Sequence, residues 1–252
     1  MLTADDQITT DAFPTTITNK TISNTTNTLQ GVAQNATVRR WGSVQPTQGA
    51  TAAAIVELSG ALAKHTPTSA GTASETFDTT EGVIATFTSS TTAGNSAGIV
   101  SPVGGVGICR RSFAGRLIMR GKIDSTTTGR FYFGLTSGTA IDVTGLLSTQ
   151  HGVIVGFDAT DTNWTIMTND GATSVTRTNV TGPIAKDANY HTIEISWPAS
   201  GNITVIFDGT SQTVSTDLPG TSTNLFFNAV VQPSSTTARA LLLHSIWVEF
   251  DK

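Results

Sequence analysis

Apolar and polar residues alternate along one stretch in the last third of the chain. Between Tyr190 and Trp197 every second position is apolar or a histidine, namely His191, Ile193, Ile195 and Trp197. This period of two predicts a half-buried β-strand. A second alternating run ends at Asp208-Gly209, and a third strand over Gln212–Thr216 can return beside it. Because Asp-Gly favours a tight hairpin turn, the stretch predicts an antiparallel meander whose apolar face packs on a second sheet.

Short runs of the same kind continue from residue 82 to the end of the chain. They predict about a dozen strands: Gly82–Thr88, Gly98–Val100, Gly115–Asp124, Arg130–Thr136, Gly152–Asp158, Trp164–Thr168, Ser174–Thr178, Tyr190–Trp197, Asn202–Phe207, Gln212–Thr216, Asn224–Val231 and Ala238–Phe250. Asn169-Asp170-Gly171 predicts a second tight hairpin. A skip in the alternation of the last strand predicts a bulge at His244-Ser245. Residues 75–252 are therefore expected to form an all-β head, a two-sheet antiparallel jelly-roll sandwich.

Two segments of the meander resemble a known fold. Tyr190-His191-Thr192-Ile193-x-Ile195 and Gly201-Asn202-Ile203-Thr204-Val205-x-Phe207-Asp208-Gly209 are similar to the core hairpins of laminin-G-like and concanavalin A-like lectin sandwiches. The resemblance implies a two-sheet jelly roll. Proteins of this fold include sugar-binding lectins, glycosidases and phage-fibre modules without chemistry, so the fold alone does not choose a function.

The first 50 residues follow neither period. Their apolar residues are widely spaced in Thr- and Asn-rich sequence, and include Phe13, Ile17, Ile22 and Leu29. Such a segment buries too little apolar surface to order itself alone. We therefore expect residues 1–50 to be an extended anchor or stem, held by identical copies or by a neighbouring subunit. Trp41 either inserts into a partner's pocket or packs on its own chain.

Residues 51–74 predict a short helix and a linker. Ala54, Ile55, Leu58 and Leu62 form an apolar stripe within 51–65, and Thr51 can cap it. Residues 66–74 have the composition of a linker. The helix would be either a trimer-forming stem or a lid on the sandwich. The stretch TITNKTISNTTNTL also resembles linkers of phage tail, neck and head-fibre proteins, in which three chains often wind together, and this resemblance implies a homotrimer.

The composition narrows the class of protein. Only 13% of residues are charged and the net charge is −4, which offers no basic field for nucleic acid. The single cysteine, Cys109, allows no disulfide within the chain. No apolar run is long enough for a membrane span, and the first residues do not have the pattern of a signal peptide. We expect synthesis in a host cytoplasm and no membrane insertion.

The sequence carries no recognisable catalytic motif. The four histidines are scattered, and neither a nucleophile elbow nor a phosphate loop occurs. Glycosidases of the concanavalin-like fold carry paired carboxylates on one strand. Glu194 lies on the polar face of its strand without a partner close in sequence. The expectation is therefore that the chain is not an enzyme, has no catalytic residues and needs no cofactor.

Oxygen ligands cluster in two predicted loops. Asp158, Asp161 and Asn163 precede one strand, and Asn169 and Asp170 follow it. Calcium takes oxygens from such loops, but Asp and Asn are also the commonest turn residues, and we expect no resident metal. Trp164 either stacks on a sugar ring while its neighbours bond the hydroxyls, or lies on the core face of its strand. These six residues are the predicted ligand-binding site.

Two functions follow as hypotheses. The first is a structural virion protein, a phage head, neck or tail fibre or decoration subunit, whose anchor binds other virion subunits and whose head projects for attachment to a host surface or its glycans. The virion would then be its location. The alternative is a free-standing carbohydrate-binding, lectin-like module.

Overall fold

The computed structural model describes residues 39–44, 63–65, 72–100, 109–138, 149–172 and 174–251. The strands are β1 Arg39–Val44, β2 Ala63–His65, β3 Thr72–Asp78, β4 Gly82–Thr88, β5 Ala97–Val100, β6 Cys109–Arg110, β7 Gly115–Ile123, β8 Gly129–Thr136, β9 His151–Phe157, β10 Thr165–Asp170, β11 Thr176–Asn179, β12 His191–Trp197, β13 Ile203–Phe207, β14 Thr210–Val214, β15 Asn224–Pro233 and β16 Ala240–Asp251. A 3₁₀ turn over Arg111–Phe113 is the helical element of these residues. The all-β prediction is confirmed.

The strands form two antiparallel sheets. Sheet A has the order β14-β13-β12-β7-β16-β4-β3, with β1 beside β16. Sheet B has the order β11-β10-β9-β8-β15-β5-β2, with β6 beside β15. The meander predicted from sequence is β12-β13-β14 at the edge of sheet A, and the last strand pairs with β7 and β4 in the middle of that sheet. The predicted two-sheet jelly-roll sandwich is confirmed.

The core lies between the two sheets. Sheet A contributes alternate residues such as Leu117, Ile195 and Val248, and sheet B contributes Phe133, Val155 and Phe227 from the facing strands. The alternation places the other residues of β12 and β13 on the outer face of sheet A, where they are partly exposed. Burial of each large apolar side chain contributes about 1.5–3 kcal/mol, so this layer is the main source of stability.

Sheet B is also buried on its outer face. Tyr132, Ile154, Met167 and Val230 form a second apolar cluster, with Val175 packed against it. They alternate with the core residues of β8, β9, β10 and β15, so they belong to the opposite face of the sheet. Asn228 on the same face is buried, and its Nδ2 donates to Thr136 Oγ1 at 3.1 Å.

The local predictions about turns are confirmed at two places. Asp208 and Gly209 both have positive φ angles, 46° and 84°, which fits a tight hairpin turn between β13 and β14. The register between β16 and β7 shifts between Leu243 and Ser245, where the bulge was expected.

The predicted boundaries at the N-terminal side need correction. Trp41 belongs to β1, whose backbone pairs with β16 opposite Glu249, so the predicted anchor segment includes a strand of sheet A. Ala63–His65 is strand β2 where the end of a helix was predicted, and β3 begins at Thr72 inside the predicted linker. The pairing partners of β1 and β2 lie far away in sequence, which local periodicity does not reveal, whereas β3 pairs with the next strand, β4. The rest of the predicted helix, residues 51–62, and the predicted anchors Phe13, Ile17, Ile22 and Leu29 lie outside the described residues.

Candidate functional site

A short turn after β9 organises the predicted ligand site. The backbone N–H of Asp158 donates to Asp161 Oδ2 at 2.6 Å, and the backbone N–H of Asp161 donates to the carbonyl oxygen of Asp158 at 3.2 Å. Aspartate stabilises such turns because its side chain bonds nearby backbone N–H groups. The turn therefore holds both carboxylates in one place.

Each carboxylate of this turn binds an arginine from a neighbouring strand. Arg130 of β8 donates from Nε to Asp158 Oδ1 at 2.7 Å. Arg177 of β11 donates from Nη2 to Asp161 Oδ2. A third cation closes the group, because Lys186 Nζ donates to the carbonyl oxygens of Asp158 and Ala159, at 3.3 and 2.7 Å. We call Arg130, Asp158, Asp161, Arg177 and Lys186 the arginine rim.

Arg130 and Arg177 lie on the outer face of sheet B and reach solvent there, whereas the amine of Lys186 lies 5.5 Å from the ring centre of the core residue Phe157. The side chain of Arg177 is 35% exposed, and that of Arg130 is 17% exposed. Tyr132 lies next to Arg130 on this face, and burial raises the pKa of its hydroxyl, with the nearby Asp158 adding to the shift. Burial lowers the pKa of the Lys186 amine, against the attraction of the two aspartates. Arg130 and Arg177 thus lie beside the buried apolar cluster of Tyr132, Ile154, Met167 and Val230.

Trp164 does not lie at this surface. Its side chain is 1% exposed and packs edge-on against the rings of Phe157 at 4.9 Å and His191 at 5.0 Å. The backbone of Asn163 forms a bridge with Ala185, which fixes the start of β10. The predicted stacking of Trp164 on a sugar is therefore corrected: the residue takes the core position of its strand, and no face of the ring is open.

Asn169 and Asp170 lie at the far end of β10. Asn169 is buried and its Oδ1 accepts the backbone N–H of Gly171 at 2.9 Å, while Asp170 Oδ1 accepts that of Ala172 at 3.0 Å. The length of β10 separates them from the Asp158–Asp161 turn, although Arg177 pairs opposite Met167, two residues before Asn169. Both residues hold the turn to β11. The structure thus brings together Asp158 and Asp161 of the predicted site and separates Asn169 and Asp170 from them.

Asp158 and Asp161 carry oxygen ligands of the kind that calcium binds. Within the parts of the chain that the structure describes, no group of three His, Cys, Asp or Glu side chains is arranged to hold a metal. Asp158 and Asp161 face Arg130 and Arg177 instead. One oxygen of each carboxylate is therefore paired with a fixed cation.

The cations of the rim were missed by sequence reasoning. Arg130 and Arg177 are 28 and 16 residues away from their partner carboxylates, and only the strand order places them side by side. The available signal was local: Arg130 stands at the start of an apolar strand, at a position that alternates away from Phe131 and Phe133.

Two further clusters of charged and aromatic residues lie elsewhere in the sandwich. His191 is buried, with Nδ1 2.6 Å from Asp208 Oδ2 and Nε2 2.8 Å from Asp187 Oδ1. Each ring nitrogen of this buried histidine thus faces a carboxylate. On the outer face of sheet A, Lys122 Nζ lies 4.4 Å from the ring centre of Tyr190, whose hydroxyl lies 3.3 Å from Asp78 Oδ2.

Cys109 is buried, and this burial raises the pKa of its thiol to about 12. A thiol with a pKa this high stays protonated and is a poor nucleophile. In the part of the chain that the structure describes, no helix has the length and apolarity of a membrane span.

Comparison with known proteins identifies a fold. No protein-family model matches the chain, and no curated protein matches it significantly. A protein of unknown function from Shewanella oneidensis MR-1 matches with a TM-score of 0.58 and 12% identity, over 84% of this chain and 87% of that one. The carbohydrate recognition domain of Emp47p matches with a TM-score of 0.50 and 9% identity, over 83% and 94%. A β-1,3-1,4-glucanase (lichenase) derived from a mouse hindgut metagenome matches with a TM-score of 0.49 and 12% identity, over 84% and 98%.

At these identities the matches show the fold alone. The chain has the concanavalin A-like jelly roll, as the two hairpin segments implied. The expectation that the chain is not an enzyme is corrected, because this fold by itself does not exclude an activity. That expectation considered only carboxylates that are close along one strand. The fold also brings Asp208 next to His191, which lies 17 residues earlier in the chain.

Proposed function

We propose that this domain is a lectin-like, glycan-binding module and that it holds its ligand at the arginine rim. The observation that carries the proposal is the partial exposure of Arg130 and Arg177, which two linked aspartates hold at the open end of the outer face of sheet B. Arginine N–H groups in a fixed position bond sugar oxygens without first losing much side-chain freedom. The fold, which a carbohydrate recognition domain shares, agrees with this role.

A binding panel tests the proposal on the full chain. Immobilised neutral and acidic polysaccharides are offered to the wild-type protein, to Arg177→Gln and to Arg116→Gln. Arg116 is a matched control, because it is likewise tied through one nitrogen to a carboxylate, Glu249, but lies on the outer face of sheet A. We expect the wild type and R116Q to bind the same polysaccharide and R177Q to bind at least tenfold more weakly. Failure of the wild-type protein to bind any member of the panel would overturn the proposal.

We also propose the setting in which the module acts: a phage virion, with residues 1–50 joining it to sister chains or to other virion subunits and the sandwich attaching to host-surface glycans. The support is the Thr- and Asn-rich sequence around Phe13, Ile17, Ile22 and Leu29, which has too little apolar surface to fold alone. Trp41 takes part in sheet A, so the anchor of this proposal ends before β1.

Native mass spectrometry tests the assembly. The full chain is compared with a variant that lacks residues 1–37, which leaves β1 in place beside β16. A trimer that becomes a folded monomer supports a stem formed by the first residues. A full chain that stays monomeric at high concentration, and does not bind purified particles, contradicts the virion setting without touching glycan binding.

A further inference from the structure

We infer that the ligand of the arginine rim is an acidic glycan, whose carboxylate or sulfate group is held by the free edges of Arg130 and Arg177. This inference rests on the proposed glycan-binding function and adds the chemical class of the ligand.

The guanidinium groups of Arg130 and Arg177 use few of their hydrogen-bond donors on the described residues of the protein. Arg130 bonds the protein through Nε alone, and Arg177 through Nη2 alone, within the part of the chain that the structure describes. A guanidinium carries its donors in a planar fork with two usable edges. Each of these arginines therefore keeps most of its N–H donors, and at least one edge, available to a ligand.

Other arginines of the sandwich show what a structural role requires. Arg120 bonds both carboxylate oxygens of Glu81 and also donates to Thr192 Oγ1. Arg239 bonds the carbonyl oxygens of Thr127 and Ala238 through three of its nitrogens. In both arginines, all three guanidinium nitrogens donate to protein acceptors. Arg130 and Arg177 each donate through one nitrogen to an acceptor among the described residues.

The second step is the charge of the rim. It combines three cations, Arg130, Arg177 and Lys186, with the two carboxylates of Asp158 and Asp161. An excess of one positive charge remains on a chain whose net charge is −4. Planar anions such as carboxylate match the guanidinium fork with two parallel hydrogen bonds, which are about twice as strong as bonds between neutral groups. An acidic group on the ligand would neutralise this excess charge, which a neutral sugar cannot do.

The third step assigns separate roles to the aspartates and the arginines. Asp158 and Asp161 are joined by the 2.6 Å bond from the Asp158 N–H, so one turn fixes the position of both guanidinium groups. The aspartates are thus positioning residues. The groups that touch the ligand are the arginines, which reverses the role expected from the sequence, where the carboxylates were to bind the sugar.

The experiment compares three probes on the full chain: polygalacturonate, dextran sulfate and uncharged dextran, each at about 50 and 500 mM salt. We expect binding to one or both acidic probes, at least tenfold weaker at high salt, and no binding to dextran. Polygalacturonate and dextran sulfate distinguish a carboxylate ligand from a sulfate ligand.

Three variants connect the binding to the rim. R177Q is expected to lose at least tenfold in affinity, and R177K to recover only part of it because lysine lacks the planar fork. R116Q is expected to bind as the wild type does. Arg177 is exposed, so its variants should fold, and a thermal melt verifies this. Equal binding of dextran and acidic probes would overturn the inference while leaving glycan binding intact. Acidic binding that R177Q does not weaken would also overturn it, and failure to bind any glycan would overturn the proposed function itself.

Discussion

The two sheets of the sandwich have different outer faces. In sheet A, buried and partly exposed residues alternate along His191–Trp197 and Ile203–Phe207, so one face meets the core and the other faces water. In sheet B, residues of both faces are buried along β8, β9 and β15. A strand that is buried on both faces reads as a continuous apolar run, and GVIVGF in β9 is such a run.

This difference determines where a ligand can be held. The outer face of sheet A is occupied by paired side chains such as Arg120 with Glu81 and Lys122 with Asp78. On sheet B, the arginine rim stands where the buried outer face ends and solvent begins. Incompletely bonded cations at this edge can orient a ligand, because few polar groups in fixed positions give a binding site its specificity.

The largest expected effect separates the outer faces directly. Ile154 lies on the outer face of sheet B and is 0% exposed, whereas Ile118 lies on the outer face of sheet A and is partly exposed. Ile154→Asn removes buried apolar surface and leaves an amide without partners, so we expect a loss of about 5 kcal/mol in the free energy of unfolding. Ile118→Asn should cost about 1 kcal/mol. Urea unfolding measures both, and equal costs would mean that the outer face of sheet B is open in solution.

Among the tryptophans whose exposure the structure describes, Trp164 and Trp247 differ most. Trp164 lies in the core among Phe131, Phe157 and Phe207, and its replacement by alanine leaves a large cavity, for which we expect a loss of about 4 kcal/mol. Trp247 on the outer face of sheet A is 37% exposed, and W247A should cost about 1 kcal/mol or less. Chemical denaturation of both variants tests this. A fully stable W164A that loses only glycan binding would restore the sugar-stacking role.

The sequence predicts the strands of sheet A better than the site on sheet B. The alternation in β12 and β13 is complete within each strand, so a local window is sufficient to place them. The pairing of β1 with β16 joins segments about 200 residues apart, and no local pattern encodes it. The two hairpin segments that resemble lectin sandwiches supplied the two-sheet arrangement.

The candidate site was predictable only in its turn. Asp158 and Asp161 are close in sequence and carry the signature of a turn, whereas their arginine partners become neighbours through the order of β8, β9, β10 and β11. The burial of Trp164 was not predictable either, because a shift of one residue in a strand moves a side chain from the core to the outer face. The short run from Trp164 to Thr168 does not settle that register.

His191 forms a contact between the two sheets. His191 of β12 contacts the ring of Trp164 beside β10 and bonds Asp187. Burial alone would raise the pKa of Asp187, but the hydrogen bonds from His191 and Asn189 outweigh it and lower the pKa below its ordinary value of 3.8. The ionised Asp187 carboxylate therefore contributes its full stabilisation of the fold at a pH above 3.8, and this contribution is lost as the pH falls through the lowered pKa.

Replacing Asp187 by asparagine makes this dependence measurable. We expect D187N to be less stable than the wild type near pH 7, and the difference in urea midpoint to shrink as the pH falls below about 4. D170N is the control, because asparagine can still accept the N–H of Ala172 in that exposed turn. A difference between D187N and wild type that stays constant down to about pH 3 would show that the carboxylate charge is not what stabilises the fold.

The smallest expected effect lies within the outer face of sheet A, where two arginines differ in how they bind a carboxylate. Arg120 bonds both oxygens of the buried Glu81 carboxylate, so Arg120→Lys loses one arm of the pair and should cost about 1 kcal/mol. Arg116 reaches Glu249 through Nε alone, at 3.3 Å and with an exposed side chain, so Arg116→Lys should change stability by about 0.3 kcal/mol or less. Urea unfolding at low and high salt compares the two. Equal losses of stability would mean that bonding both carboxylate oxygens adds nothing on this face. The distinction between Arg120 as a structural residue and Arg130 and Arg177 as ligand-binding residues would then lose its basis.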